Sequence, residues 1–168
     1  MPDRVQIKHI LQTSESWSGT PLPGFSSGKT EFKILLFTIK PGGKTTIHVH
    51  PLNGAGYMIS GELTMFSTED PHGSFENPKQ VKKATFKRGE AWAESVNIWH
   101  YGENQGKVDA EFVLMFAGQV DIPPTFRLLS KPHLPVKTKS FLPNFCIVIS
   151  ATLVKSLRLR YPNLLRRF

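Results

Sequence analysis

The sequence predicts an all-β fold, a sandwich or small barrel built from short strands. Three observations lead there. Thirteen glycines and thirteen prolines in 168 residues supply frequent turns. Apolar, β-branched and aromatic runs recur with turn residues at roughly 8–12-residue intervals, the rhythm of an antiparallel sheet protein. No helical periodicity separates these runs, which argues against a parallel α/β sheet.

Each strand has its own signature. FKILLFTIK is closed by PGG, and KTTIHVH is ended by PLNG. AGYMIS turns at Gly61 into ELTMFS, and TEDPHGSFENP is a polar loop. KQVKKATFK alternates polar and apolar residues, RGE turns into AWAES, IWHYGEN ends at the turn QGK, and AEFVLMFAG is a long final strand. Glycine and proline clusters mark the joints. Residues 1–30 read as an N-terminal arm, with SGTPLPGFSSGKT as a loop, residues 31–126 as the barrel, and 127–168 as a Pro-rich, basic tail. In the tail Ile149, Leu153, Leu157 and Tyr161 recur every four residues. That stripe predicts a short amphipathic helix over 149–161, with Lys155 and Arg158 off the apolar face.

The formal charge of +8 is a property of the tail. Residues 1–121 hold 12 basic and 13 acidic side chains, whereas 122–168 hold nine basic and no acidic ones. A near-neutral domain with a basic appendage does not read as a nucleic-acid-binding domain. An anionic membrane surface is the partner the tail's stripe would suit; a plain extension is the alternative. Cys146 is the single cysteine, so no intramolecular disulfide forms. The N-terminus lacks a secretory pattern, and the expected location is cytoplasmic. No Gly-rich phosphate loop, Ser/His/Asp set or Cys/His zinc spacing is present.

Chemistry concentrates at three histidines. In a strand, residues two apart share a face, with Cα atoms about 7 Å apart. His48 and His50 therefore point the same way, near enough to converge on one ion. His100 lies in a second aromatic strand, between Trp99 and Tyr101. His9, His72 and His133 sit in loop or tail contexts and read as non-ligands. Glu62 and Glu90 follow turn glycines and read as solvated. Alternation in AWAES sets Trp92 and Glu94 on one face; Glu94 is then an interior carboxylate in need of a partner, or else a solvated strand end. Tyr57 and Tyr101 are either hydrogen-bond donors to a bound anion or aromatics of the core and rim.

The spacing resembles the two motifs of the cupin superfamily. Gly42, His48, His50 and Gly61 occupy places of the first motif, with Gly54 where a glutamate is usual. Gly89, His100 and Asn104 occupy places of the second, with Ser95 and Asn97 where proline and glycine are usual. The resemblance spans about residues 30–120 and implies a double-stranded β-helix, a jelly-roll barrel. It also implies a divalent metal ion (iron, zinc, manganese or nickel) on His48, His50 and His100. With Gly54 unable to donate, Glu94 is the carboxylate expected to act as fourth ligand or to orient one. Three neutral imidazoles suit such ions. The activity implied is that of a metal-dependent dioxygenase or isomerase acting on a small organic molecule; the alternative is a non-catalytic barrel that binds a small ligand. A homodimer is the expected assembly.

Overall fold

A computed structural model of the chain describes residues 4–25 and 27–128. Residues 129–168 of the basic tail, with the helix expected over 149–161 and His133, lie outside the described residues. Among the described residues nine strands form: β1 (Thr30–Ile39), β2 (His48–Val49), β3 (Asn53–Ser60), β4 (Glu62–Thr68), β5 (Val81–Lys87), β6 (Ala91–Ala93), β7 (Trp99–Glu103), β8 (Ala110–Gln119) and β9 (Phe126–Arg127). One sheet has the order β1-β8-β3-β6 and the other β5-β4-β7-β2-β9, and every named pairing is antiparallel. The first eight strands distributed in this way make a double-sheet jelly roll. No helix among the described residues is long and apolar enough to cross a membrane.

Period-two alternation sets the inner faces. Phe112, Leu114 and Phe116 of β8 are buried, while Met115 is exposed. Leu63 and Met65 of β4 and Trp92 of β6 are buried as well. The large rings lie flat on bare backbone. A Cβ at Gly56 would stand 2.1 Å from the Trp92 indole, and one at Gly54 would stand 2.6 Å from the Phe116 ring. Glycine in these two strand positions costs some strand propensity and gains the room the rings need.

The spacing residues have physical roles in the turns. Gly42, Gly61 and Gly89 all have positive φ, at 74°, 68° and 87°, where an L side chain is strained. Asn97, standing where the resemblance expects glycine, has φ 57°, a conformation asparagine tolerates better than most residues. Asn104 is fully buried. Its amide donates to the carbonyls of Ile39 and Val108, each at 2.8 Å, and its Oδ1 accepts from Gly106 N–H at 2.9 Å. It pins the β7–β8 turn to the end of β1.

Two expectations need correction. KTTIHVH is a strand only at His48–Val49. Upstream, Gly102 N–H donates to the Thr45 hydroxyl at 3.0 Å, so a side chain stands in for part of the ladder. The other concerns β9, which the sequence does not announce. Phe126 and Arg127 pair with Val49 and His48, and Leu128 N–H donates to Ile47 O at 2.9 Å. Strand pairing thus runs past residue 126.

The ring-on-glycine packing is testable by substitution. Gly56→Ala forces a methyl into the Trp92 indole and is expected to cost about 1–3 kcal/mol, the usual range for overpacking. Gly24→Ala, where a Cβ meets nothing within 4 Å, should stay within about 0.5 kcal/mol of wild type. Urea unfolding of both variants measures the difference.

Candidate functional site

The residue ladder brings the three histidines together. His48 in β2 is the direct cross-strand partner of His100 in β7, so both project from the same face. His50, two residues on, is held by Asn97 N–H donating to its carbonyl at 2.8 Å. The ring centroids lie 4.4 Å apart for His48 and His100, and 4.8 Å for each of the other two pairs. One nitrogen from each ring lies within 4.8 Å of the others. Bonds of about 2.0–2.2 Å at tetrahedral angles set two donors about 3.3–3.6 Å apart, so the rings draw together by roughly 1.2–1.5 Å across the widest span when one ion is held.

Hydrogen bonds fix which nitrogen faces inward. Nδ1–H of His48 donates to Thr46 O at 2.6 Å, that of His50 to Pro124 O at 2.7 Å, and that of His100 to Ile98 O at 2.8 Å. A neutral imidazole has one N–H, so each Nε2 is left as a bare lone pair. The Nε2 atoms of His50 and His100 are buried and have no hydrogen-bond partner. Burial lowers the pKa of all three histidines. His50, with His48 as a further unfavourable charge, and His100, despite the opposing pull of Glu94, both fall to about 3.

Glu94 stands beside the cluster. It is 1% exposed, so it is not a solvated strand end. Its Oε1 accepts from the Trp92 indole N–H at 2.8 Å. Its Oε2 stands 3.6 Å from His100 Nε2 and 3.9 Å from His50 Nε2 and is itself buried without a hydrogen-bond partner. The pairing of Ala55 with Ala93, and Glu94 N–H donating to Gly54 O at 2.8 Å, put Glu94 directly beside Gly54. Glu94 directly follows β6, the strand next to β3 in the same sheet, and its carboxylate lies beside the position that Gly54 leaves without one. Phe116, 4.7 Å from His50 by ring centroids, fills the space over Gly54.

These groups line a cavity of about 480 Å³ between the sheets. Its walls are largely apolar, with Leu35 and Phe37 of β1 facing Leu63 and Met65 of β4. Arg127 and Thr125 also line it. Sequence reasoning left Arg127 in the tail; its only signal there was its place within a short Thr-Phe-Arg-Leu run. Tyr57 and Tyr101 do not line the cavity. Tyr57 points outward from β3 and is exposed. Tyr101 stacks on Phe66 and meets Phe75 edge-on. His9 and His72 are exposed and lie outside the cluster.

No family model matches the sequence, and no curated protein is similar to it. Solved structures similar to this one include the oxalate decarboxylase of Lactobacillus farciminis in a formate complex. It has 20% identity over 60% of this chain and 27% of that chain, with a TM-score of 0.48. An oxalate oxidase in complex with the substrate analogue glycolate has 24% identity over 51% of this chain and 41% of that one, with a TM-score of 0.42. A Bacillus halodurans protein has 15% identity over 57% and 68%, with a TM-score of 0.45. The chain spans about a quarter of the length of the decarboxylases. These likenesses concern the fold.

The depressed histidines set a pH dependence in metal-free protein. His50 and His100 stay neutral in the folded state down to about pH 3, while an unfolded histidine protonates near 6.5. Between those values the unfolded chain binds more protons, so stability is full above about pH 6.5 and falls as pH drops toward 3. Urea midpoints of chelator-treated protein are expected to decline through that window. A His50→Gln, His100→Gln double variant should show a shallower decline.

Proposed function

We propose that this jelly-roll barrel, whose sequence resembles both cupin motifs, binds a divalent metal ion at His48, His50, His100 and Glu94 and acts on a small organic molecule. The observation that carries the reading is a set of buried atoms without partners: two imidazole Nε2 lone pairs and one carboxylate oxygen turned to a common point. Each of these is costly to bury unsatisfied. A cation answers all of them at once. Three imidazoles with a carboxylate suit iron, manganese, nickel or zinc.

A metal bound there supplies Lewis-acid polarisation of a substrate oxygen. The chain's own residues do the rest. The carbonyls of Thr46, Pro124 and Ile98 hold the imidazoles in the ligating tautomer, an arrangement that commonly orients metal-binding histidines. The Trp92 indole N–H holds Glu94 Oε1 and leaves Oε2 turned to the centre. Apolar walls limit water in the cavity, which strengthens electrostatic contacts made inside it. A dioxygenase or isomerase activity fits this environment. The second reading, a non-catalytic barrel that holds a small ligand, uses the same cavity.

A second copy of the chain is the proposed partner. β1 is a ten-residue edge strand, and its outward residues Phe32, Ile34 and Leu36 are 66%, 68% and 64% exposed. Tyr57, Ile59 and Met115 extend this apolar face. Exposed edges and broad apolar patches mark association surfaces.

Metal analysis by mass spectrometry of untagged protein tests the site. Wild type incubated with excess zinc, iron or nickel and then desalted is expected to retain stoichiometric metal. His48→Ala, His50→Ala and His100→Ala should each lose most of it, and His72→Ala should not. Glu94→Gln should weaken affinity by about 10–100-fold. Wild type without metal refutes the reading. For assembly, sedimentation should give a dimer that Ile34→Lys converts to monomer.

A further inference from the structure

The cavity beside the histidines has a cation at its mouth and hydrocarbon behind it. β9 runs beside β2, and Arg127 is the cross-strand partner of His48. His48 is in turn the partner of His100. The three form one row across β7, β2 and β9, with neighbouring strands about 4.8 Å apart. All three line the cavity. Arg127 therefore stands one strand beyond the histidine pair, on the outer side of the cluster.

Among the described residues Arg127 makes no ion pair and no side-chain hydrogen bond. Glu94, the one carboxylate that lines the cavity, stands at the other side of the cluster, beside His50 and His100. The remaining wall is hydrocarbon: Leu35, Phe37, Met65, Phe112 and Leu114 among others. At about 480 Å³ the cavity falls in the size range of pockets for organic ligands, about 300–1,000 Å³. A ligand that suits both features has an anionic end and an apolar body.

We infer that the ligand of this cavity is a monocarboxylic acid with an apolar body, its carboxylate received by Arg127 and its hydrocarbon packed between Leu35 and Phe37 of β1 and Met65 of β4. The inference rests on reading the cavity beside the histidines as the ligand site. Guanidinium matches carboxylate geometry with two parallel hydrogen bonds. The apolar walls then discriminate against small all-polar acids, which leave that surface uncovered. A neutral alcohol of equal length keeps the wall contacts and lacks the charge. An alkylammonium ion brings the wrong sign to Arg127.

Calorimetric titration of the full-length, zinc-loaded protein tests this with four probes: hexanoate, 1-hexanol, hexylammonium and oxalate. Hexanoate is expected to bind at least about tenfold more tightly than each of the others. Arg127→Gln should bring hexanoate down to the level of 1-hexanol while keeping wild-type zinc content. Arg88→Gln, at a turn away from the cavity, should change neither. Equal binding of hexanoate and 1-hexanol overturns the inference. So does an undiminished preference in Arg127→Gln, or loss of zinc from that variant. Zinc content is measured on the same samples and separates the two readings. If wild type holds no zinc, the metal proposal fails, and the same probe comparison on metal-free protein decides the acid site by the same criteria.

Discussion

Each imidazole at the centre of the barrel has a single N–H in its neutral form, and each donates it to a backbone carbonyl, those of Thr46, Pro124 and Ile98. The rest of the centre follows from that constraint. With Nδ1 engaged, Nε2 must face inward as a lone pair. Burial keeps the rings from protonating, because the charged form loses its hydration. Lone pairs gathered between largely apolar walls repel one another. The fold tolerates that only where something positive stabilises them or where the surrounding framework is rigid. The framework here is the row of His100 and His48 across β7 and β2, braced by β9.

The carboxylate shows how one local exchange propagates through packing. A glutamate at position 54 would need its Cβ where the Phe116 ring lies. With glycine there, the ring settles over the backbone of β3 and against His50. Glu94, hydrogen-bonded to Gly54 one residue past β6, reaches the same region, and its orientation depends on the Trp92 indole. That indole in turn lies over Gly56. Gly54, Gly56, Trp92, Glu94 and Phe116 are thus one packing unit, and none of them changes size without the others shifting.

Much of this was legible in the chain because its signals are local. Alternation and turn glycines mark the longer strands, and the two-residue spacing of His48 and His50 puts them on one face whatever the fold. The jelly-roll order was expected from the motif resemblance, since strand pairing between distant segments leaves no local trace. β9 was illegible for a physical reason. Two residues are too few for a periodicity, and Phe126–Arg127 is a strand only because β2 offers an open edge. Arg127 consequently read as one more cation of the basic tail. Tyr57 and Tyr101 were ambiguous for the opposite reason. Aromatics suit either face of a strand, and the residues across the sheet decide; for Tyr101 these are Phe66 and Phe75.

The last described strand also reaches two of the three imidazoles. β9 leaves the barrel next to His48, and Pro124, three residues before Arg127, supplies the carbonyl that orients His50. The segment Pro124–Arg127 is therefore tied to two of the three imidazoles at once, to His50 through a carbonyl and to His48 through the ladder. The same attachment makes β9 a mechanical coupling. A displacement of β9 is transmitted to His48 through the two-residue ladder with β2, and to His50 through the Pro124 carbonyl.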